Sequence, residues 1–129
     1  MDETGYEAEK EAIRKAILDY YHEGHVQHDP ELYKQVLHPD WKFFMFDQNR
    51  ELKIIDRDQY CAWYDPQDVD PEIEWETEFY SIDVTEDVGA AKIRLENQKV
   101  WYIDYFNMLK LDGKWWIVNK ISYGVHKNE

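Results

Sequence analysis

The chain reads as α+β, with helices packed on one face of a bent antiparallel sheet. Two observations predict this. The patterned segments run helix, helix, strand, strand, helix and then four long strands, and such grouping puts helices and strands in separate layers. The last two strands, VWYIDYFNMLKL and KWWIVNKISYGV, meet at Asp112-Gly113. Asp-Gly between alternating apolar runs marks a hairpin, because a two-residue type I′ turn needs φ > 0 at both positions.

The elements follow in order. Thr4 and Glu7 form an S/T-x-x-E capping box, so a helix starts near Gly5 and runs to about Val26. Its apolar face is Ile13, Ala16, Ile17, Tyr20, Tyr21 and Gly24. Asp29-Pro30 caps a short second helix with Leu32, Tyr33, Val36 and Leu37 inward, and His38-Pro39 stops it. Trp41 to Asp47 and Glu51 to Ile55 are short strands. Asp56 and Gln59 open a third helix whose apolar side is Tyr60, Trp63 and Tyr64, and an acidic loop broken by Pro66 and Pro71 follows. In the strand Ile73 to Thr85, apolar residues alternate through Phe79 and then change phase to Tyr80, Ile82 and Val84. A one-residue change of phase is the mark of a β-bulge, and bulges bend strands. Ala91, Ile93 and Leu95 belong to the next strand.

The Asp112-Gly113 turn sets a register. Leu111 faces Lys114, Met108 faces Ile117, Phe106 faces Asn119 and Asp104 faces Ile121. One hairpin face then carries Asp104, Phe106, Met108, Trp115, Ile117, Asn119, Ile121 and Tyr123. The other carries Tyr105, Asn107, Leu109, Leu111, Trp116, Val118, Lys120 and Ser122. Both are too apolar to be left in water, so one covers the helices and the other meets a second surface.

Composition narrows the function. With 129 residues the chain is expected to form one domain, residues 1–129, large enough for a single core. A net charge of -13 argues against nucleic acid and anionic membranes, which attract basic patches. Cys61 is the only cysteine, so neither an intrachain disulfide nor a cysteine metal site is expected. The acidic N-terminus lacks the apolar run of a signal peptide, and no stretch nears the ~20 apolar residues of a membrane span, so a cytoplasmic protein is expected. No sequence pattern asks for a cofactor.

Two stretches carry a resemblance. EAIRKAILDYYHEGHVQHDPELYKQVLHPD is similar to the opening helix pair of the nuclear transport factor 2-like, or cystatin-like, superfamily. AAKIRLENQKVWYIDYFNMLKLDGKWWIVNK resembles the closing strands of its lumazine-binding branch, through Asp104, Lys110, Asp112, Gly113, Trp115, Ile117, Val118, Asn119 and Lys120. The resemblance implies three N-terminal helices in the concave face of a strongly curved antiparallel sheet, with a conical pocket whose mouth is near the short helices. It also implies a homodimer through the outer sheet face, here Leu109, Leu111, Trp116 and Val118.

Candidate site residues follow from the pocket face. Asp104 is the expected general acid or base, since a carboxylate among aromatics is desolvated and its neutral form favoured. Asn119 would orient a ligand, and Tyr20, Tyr21, Phe106 and Trp115 would contact it. Trp41 and Met45 lie on one side of the first strand, His28 at the pocket mouth, and Trp63 and Tyr64 close that mouth, with Trp75 and Trp101 as further stacking surface. His22, His25 and His28 do not keep the spacing of a helical metal site, and no metal is expected. The general-base aspartate of ketosteroid isomerase relatives falls at or beside Met45, and a thioether cannot abstract a proton.

Three functions therefore stay open. One is a pocket for a flat, partly apolar small molecule, of which a pteridine-like ring is the kind the resemblance suggests. Another is a cofactor-free isomerase, dehydratase or cyclase using Asp104 with a tyrosine hydroxyl. The third is an interaction module whose cone is filled by its own aromatics.

Overall fold

A computed structural model describes residues 3–127, with side chains from residue 6 onward. Helix α1 (Glu3–Ala16) continues through a π-helical stretch, Ile17–His22, into α2 (Glu23–Gln27). It opens one residue ahead of Thr4, whose side chain lies outside the described ones. Ile13, Ile17, Tyr21 and His25 are all buried at a constant four-residue step. In an α-helix of 3.6 residues per turn that step drifts round the axis; the wider π turn takes the drift back and keeps all four on one line. The helix ends at His28 in the left-handed conformation, φ 47°.

Helix α3 (Pro30–Tyr33) is capped by the Asp29 carboxylate, which accepts from the Glu31 amide. Strands β1 (Leu37–Phe46) and β2 (Leu52–Asp56) precede α4 (Arg57–Cys61), where Asp56 and Gln59 close a reciprocal capping box. A 3-10 turn, Pro66–Asp68, leads to β3 (Glu76–Thr85), β4 (Val88–Glu96), β5 (Val100–Leu111) and β6 (Lys114–His126). The turn between β5 and β6 has φ 51° at Asp112 and 79° at Gly113, as the Asp-Gly pair requires.

The six strands form one sheet in the order β2-β1-β6-β5-β4-β3. Every neighbouring pair is antiparallel except β1 with β6, which is parallel because the chain crosses between them by way of α4 and the other strands. The β3–β4 register slips between Phe79 and Ser81, where the apolar phase changes. The core lies between the long helix and the concave face and includes Ile13, Ile17, Tyr21, Trp41, Ile93, Leu95, Phe106, Met108 and Ile117. Glu9 pins α1 to the hairpin by accepting from Lys110 Nζ at 2.9 Å and Trp115 Nε1 at 3.1 Å.

A second slip changes the site. The β5–β6 register follows the turn from Leu111–Lys114 to Met108–Ile117, then shifts by one residue, so that Asn107 pairs with Asn119, Phe106 with Lys120 and Asp104 with Ser122. Beyond the bulge, β6 presents the opposite face from the one expected. Lys120 is buried and Ser122 half-buried, whereas Ile121 and Tyr123 are exposed. Asn119 sits on the outer face and accepts from Asn107 Nδ2 at 3.0 Å, so it is not placed to orient a ligand inside the cone. No helix among the described residues is long and apolar enough to cross a membrane.

Candidate functional site

The bulge in β6 carries a cation into the apolar interior. Lys120 Nζ donates to the Tyr21 hydroxyl at 2.8 Å and to the Tyr60 hydroxyl at 3.5 Å. Tyr21, held there by the π turn, donates in turn to Asp104 Oδ2 at 3.0 Å. Ser122, facing Asp104 across the bulged pair, donates to its other oxygen at 2.6 Å. Tyr64 donates to the Tyr60 hydroxyl at 2.9 Å. The ammonium and the carboxylate are thus joined through one tyrosine hydroxyl, and each group in the chain has a partner.

Aromatic rings surround this cluster. Lys120 Nζ lies 4.2 Å from the Phe43 ring centre, 4.7 Å from that of Tyr60 and 5.3 Å from that of Tyr21. Burial lowers the Lys120 pKa from its ordinary value, and Asp104 opposes the shift only in part. Burial and then the Asp104 charge push the Tyr21 hydroxyl well up, and burial takes Tyr64 to about 12. The tyrosines therefore stay neutral and serve as hydrogen-bonding groups.

His25 closes one wall. Its Nδ1 lies 3.1 Å from the Tyr21 carbonyl oxygen and 2.8 Å from the Tyr33 hydroxyl. The carbonyl can only accept, so that contact is a hydrogen bond when Nδ1 carries the proton, whereas the Tyr33 hydroxyl can accept from Nδ1 in that tautomer or donate to it in the other. Burial first, and Lys120 second, push the His25 pKa down to about 3, so the imidazole is neutral.

These groups form the polar end of a cavity of about 370 Å³, lined also by Phe43, Met45, Trp63, Trp75 and Tyr102. That is the size and character of a small-molecule site. Of the residues expected from sequence, Asp104, Tyr21, Met45, Trp63, Tyr64 and Trp75 line it. Trp63 lies just beyond α4 and is 53% exposed at the mouth.

The other expected residues lie elsewhere, each for a physical reason. The π turn that brings in Tyr21 leaves Tyr20 off the cavity, 6.0 Å from Lys114 Nζ. Phe106 is buried behind Tyr21, edge to face at 4.8 Å. Trp115 is core, its indole nitrogen taken by Glu9. Trp41 is fully buried against Tyr60, its own indole nitrogen without a hydrogen-bond partner. His28 lines a neighbouring cavity of about 400 Å³ with Asp70, Lys99 and His126. Trp101 meets Tyr123 on the outer side, the two rings tilted by 55°.

Lys120, Ser122, His25, Phe43, Tyr60 and Tyr102 were missed as site residues. The four-residue step from Ile13 to His25 could have found His25. Alternation alone could not have found Lys120, because the bulge falls where both faces are apolar. His22 is bonded to Thr77 at 2.8 Å, and among the described residues no group of three histidines, cysteines or carboxylates could hold a metal ion.

Comparison with known proteins adds the relatives. Residues 8–123 match the family described as "Putative lumazine-binding". A nuclear transport factor 2-like protein of unknown function from Shewanella baltica superimposes with a TM-score of 0.82 at 24% identity, covering 93% of this chain and 96% of that one. Another such protein, from Silicibacter pomeroyi, gives 0.78 at 18% identity, covering 97% and 100%. A ketosteroid isomerase-like protein from Erwinia carotovora gives 0.65 at 12% identity, covering 91% and 96%. No curated protein matches. The family match spans nearly the whole sequence and the structural matches carry the same cone, so the chain belongs to the "Putative lumazine-binding" family and has the nuclear transport factor 2-like, cystatin-like fold.

Proposed function

We propose that this protein binds a small, flat, partly apolar molecule in the cone. What carries the reading is the joining of an aromatic cavity of about 370 Å³ to a buried Lys120–Tyr21–Asp104 cluster at its inner end. A ring stacks against Trp63, Trp75 and Tyr102, and a carbonyl or similar acceptor points to Lys120. A pteridine-like ring, the class the family's description names, is flat and bears such carbonyls. Asp104 reads the opposite hydrogen-bonding sense, whereas the Tyr60 hydroxyl, which accepts from Tyr64 and Lys120, has its proton left to donate. A second copy of the chain pairs through the outer sheet face.

The Tyr21–Asp104 hydrogen bond favours a second reading, in which Asp104 and Tyr21 move a proton on the bound molecule. The two readings part in one experiment. Native mass spectrometry of the purified protein is followed by a thermal-shift screen of pteridines and aromatic carbonyl compounds. A binder gains melting temperature with such a compound, as native-state binding requires, and Asp104→Asn weakens that gain by about tenfold in Kd. A compound that is consumed, with consumption abolished by Asp104→Asn, identifies the enzyme. A protein with no co-purified molecule and no stabilising compound would overturn both.

A further inference from the structure

We propose that Lys120 is a carbonyl-capturing amine: inside the cone it condenses with an aldehyde or ketone to form an imine. The inference goes beyond reversible binding and rests on that reading in one respect, that a carbonyl compound enters the cavity. Its basis is placement. Lys120 is only 4% exposed, yet it lines the cavity wall. Its hydrogen-bond partners are the hydroxyls of Tyr21 and Tyr60, not a carboxylate. A neutral amine with two protons directed at two hydroxyls keeps its lone pair for an electrophile. A lysine in an apolar pocket is the usual form of an activated amine nucleophile, and burial here acts in that direction.

The hydrogen-bond chain also supplies a route for the proton. Lys120 Nζ donates to Tyr21, and Tyr21 donates to Asp104. Moving one proton along both bonds converts ammonium and carboxylate into a neutral amine and a carboxylic acid, with Tyr21 neutral before and after. The amine lone pair then forms a C–N bond to the carbonyl carbon, and the carbonyl π pair moves to oxygen. The nitrogen loses one proton and the oxygen gains one, giving a carbinolamine. The proton held at Asp104 returns through Tyr21 to the carbinolamine hydroxyl. The C–O bond breaks, water leaves, and the nitrogen lone pair closes the C=N bond as an iminium. The sum is carbonyl plus ammonium giving iminium plus water, with no oxidant or reductant. Lys120 and Tyr21 touch the reacting atoms; Asp104 acts through Tyr21.

The test is reductive trapping of the intact protein with 2-naphthaldehyde and cyanoborohydride near neutral pH, followed by peptide mapping. We expect one naphthylmethyl group on Lys120 while the exposed lysines remain unlabelled, since each unit by which the pKa falls makes the neutral amine about tenfold more abundant. Urea should abolish the preference, Lys120→Arg should abolish the adduct, and Tyr21→Phe should slow capture by on the order of a hundredfold. Labels spread over surface lysines or confined to the N-terminal amine would overturn the proposal, and so would no label. The wild-type map decides the question even if a variant does not fold. Occupancy is read separately with 2-naphthalenemethanol, which cannot condense. Stabilisation by this alcohol without a Lys120 adduct rejects the imine and keeps the binding site, whereas neither stabilisation nor adduct rejects both.

Discussion

At the scale of the residue, the inner end of the cone holds three groups that water would solvate well and the protein solvates with its own hydroxyls. Lys120, His25 and Asp104 are all buried. Their burial costs free energy unless each is bonded, and Tyr21 serves all three through its hydroxyl and its carbonyl oxygen. The consequence with the clearest sign concerns His25. Its folded pKa is about 3, against an ordinary 6.5. Between those values the unfolded chain takes up a proton that the folded chain refuses. Stability is therefore full above about pH 6.5 and falls with acidity by up to about 1.4 kcal/mol per unit until both states titrate near pH 3. Urea unfolding of the wild type and His25→Gln across this range should show it. Both lose the carboxylate contributions alike, but the variant's loss from about pH 6.5 to pH 4 should be smaller, by on the order of 3 kcal/mol. Parallel curves would mean that His25 is protonated in the fold.

At the scale of the element, positions are set by close approaches and bulges. Gly24, in α2, lies against Tyr33 of α3, and a Cβ there would meet ring carbons at 2.7, 2.8 and 3.0 Å. Tyr33 is fully buried and cannot swing away. Gly24→Ala should therefore destabilise by about 1–3 kcal/mol on thermal unfolding, even though alanine is the better helix former by about 1 kcal/mol. A neutral or stabilised variant would show that α2 and α3 can separate.

The same scale decides what could be read from sequence. The Asp112-Gly113 turn was legible because its backbone needs those residue types, and the slip at Phe79–Ser81 because the apolar alternation changes phase there. The slip beyond Met108–Ile117 was not legible. Unslipped, Ile121 and Tyr123 would point inward, which is what a hydrophobic pattern prefers; slipped, Lys120 and Ser122 do. Pattern reading assigns a face only when one face is wet, and here both are apolar. The local rule fails at the cavity, where polar groups are gathered against the preference of the core. Asp104 was found because it stands on β5, the strand without the extra residue, and Asn119 was misplaced because it follows the bulge in β6.

At the scale of the whole molecule, the slip has an outward effect as well. By turning Lys120 and Ser122 inward it sends Ile121 and Tyr123 outward, 50% and 65% exposed, to join Tyr105, Leu109 and Leu111 on the convex face. These exposed side chains support the proposed dimer, in which contact burial must outweigh the long-range repulsion between two chains of net charge -13. Light scattering should give a dimer at micromolar protein. Replacing the cross-strand neighbours Leu109 and Trp116 together by glutamate should give a monomer with unchanged circular dichroism, because neither side chain faces the concave core. Salt discriminates the forces. Raising it from about 10 to 150 mM shortens the screening length from about 30 to 8 Å, so a dimer opposed by charge tightens, whereas one held by ion pairs loosens. A wild-type monomer would remove the outer face from any account of assembly. A dimer that tightens with salt would mean that one bulge in β6 builds both the polar end of the cone and the apolar surface that joins two cones back to back.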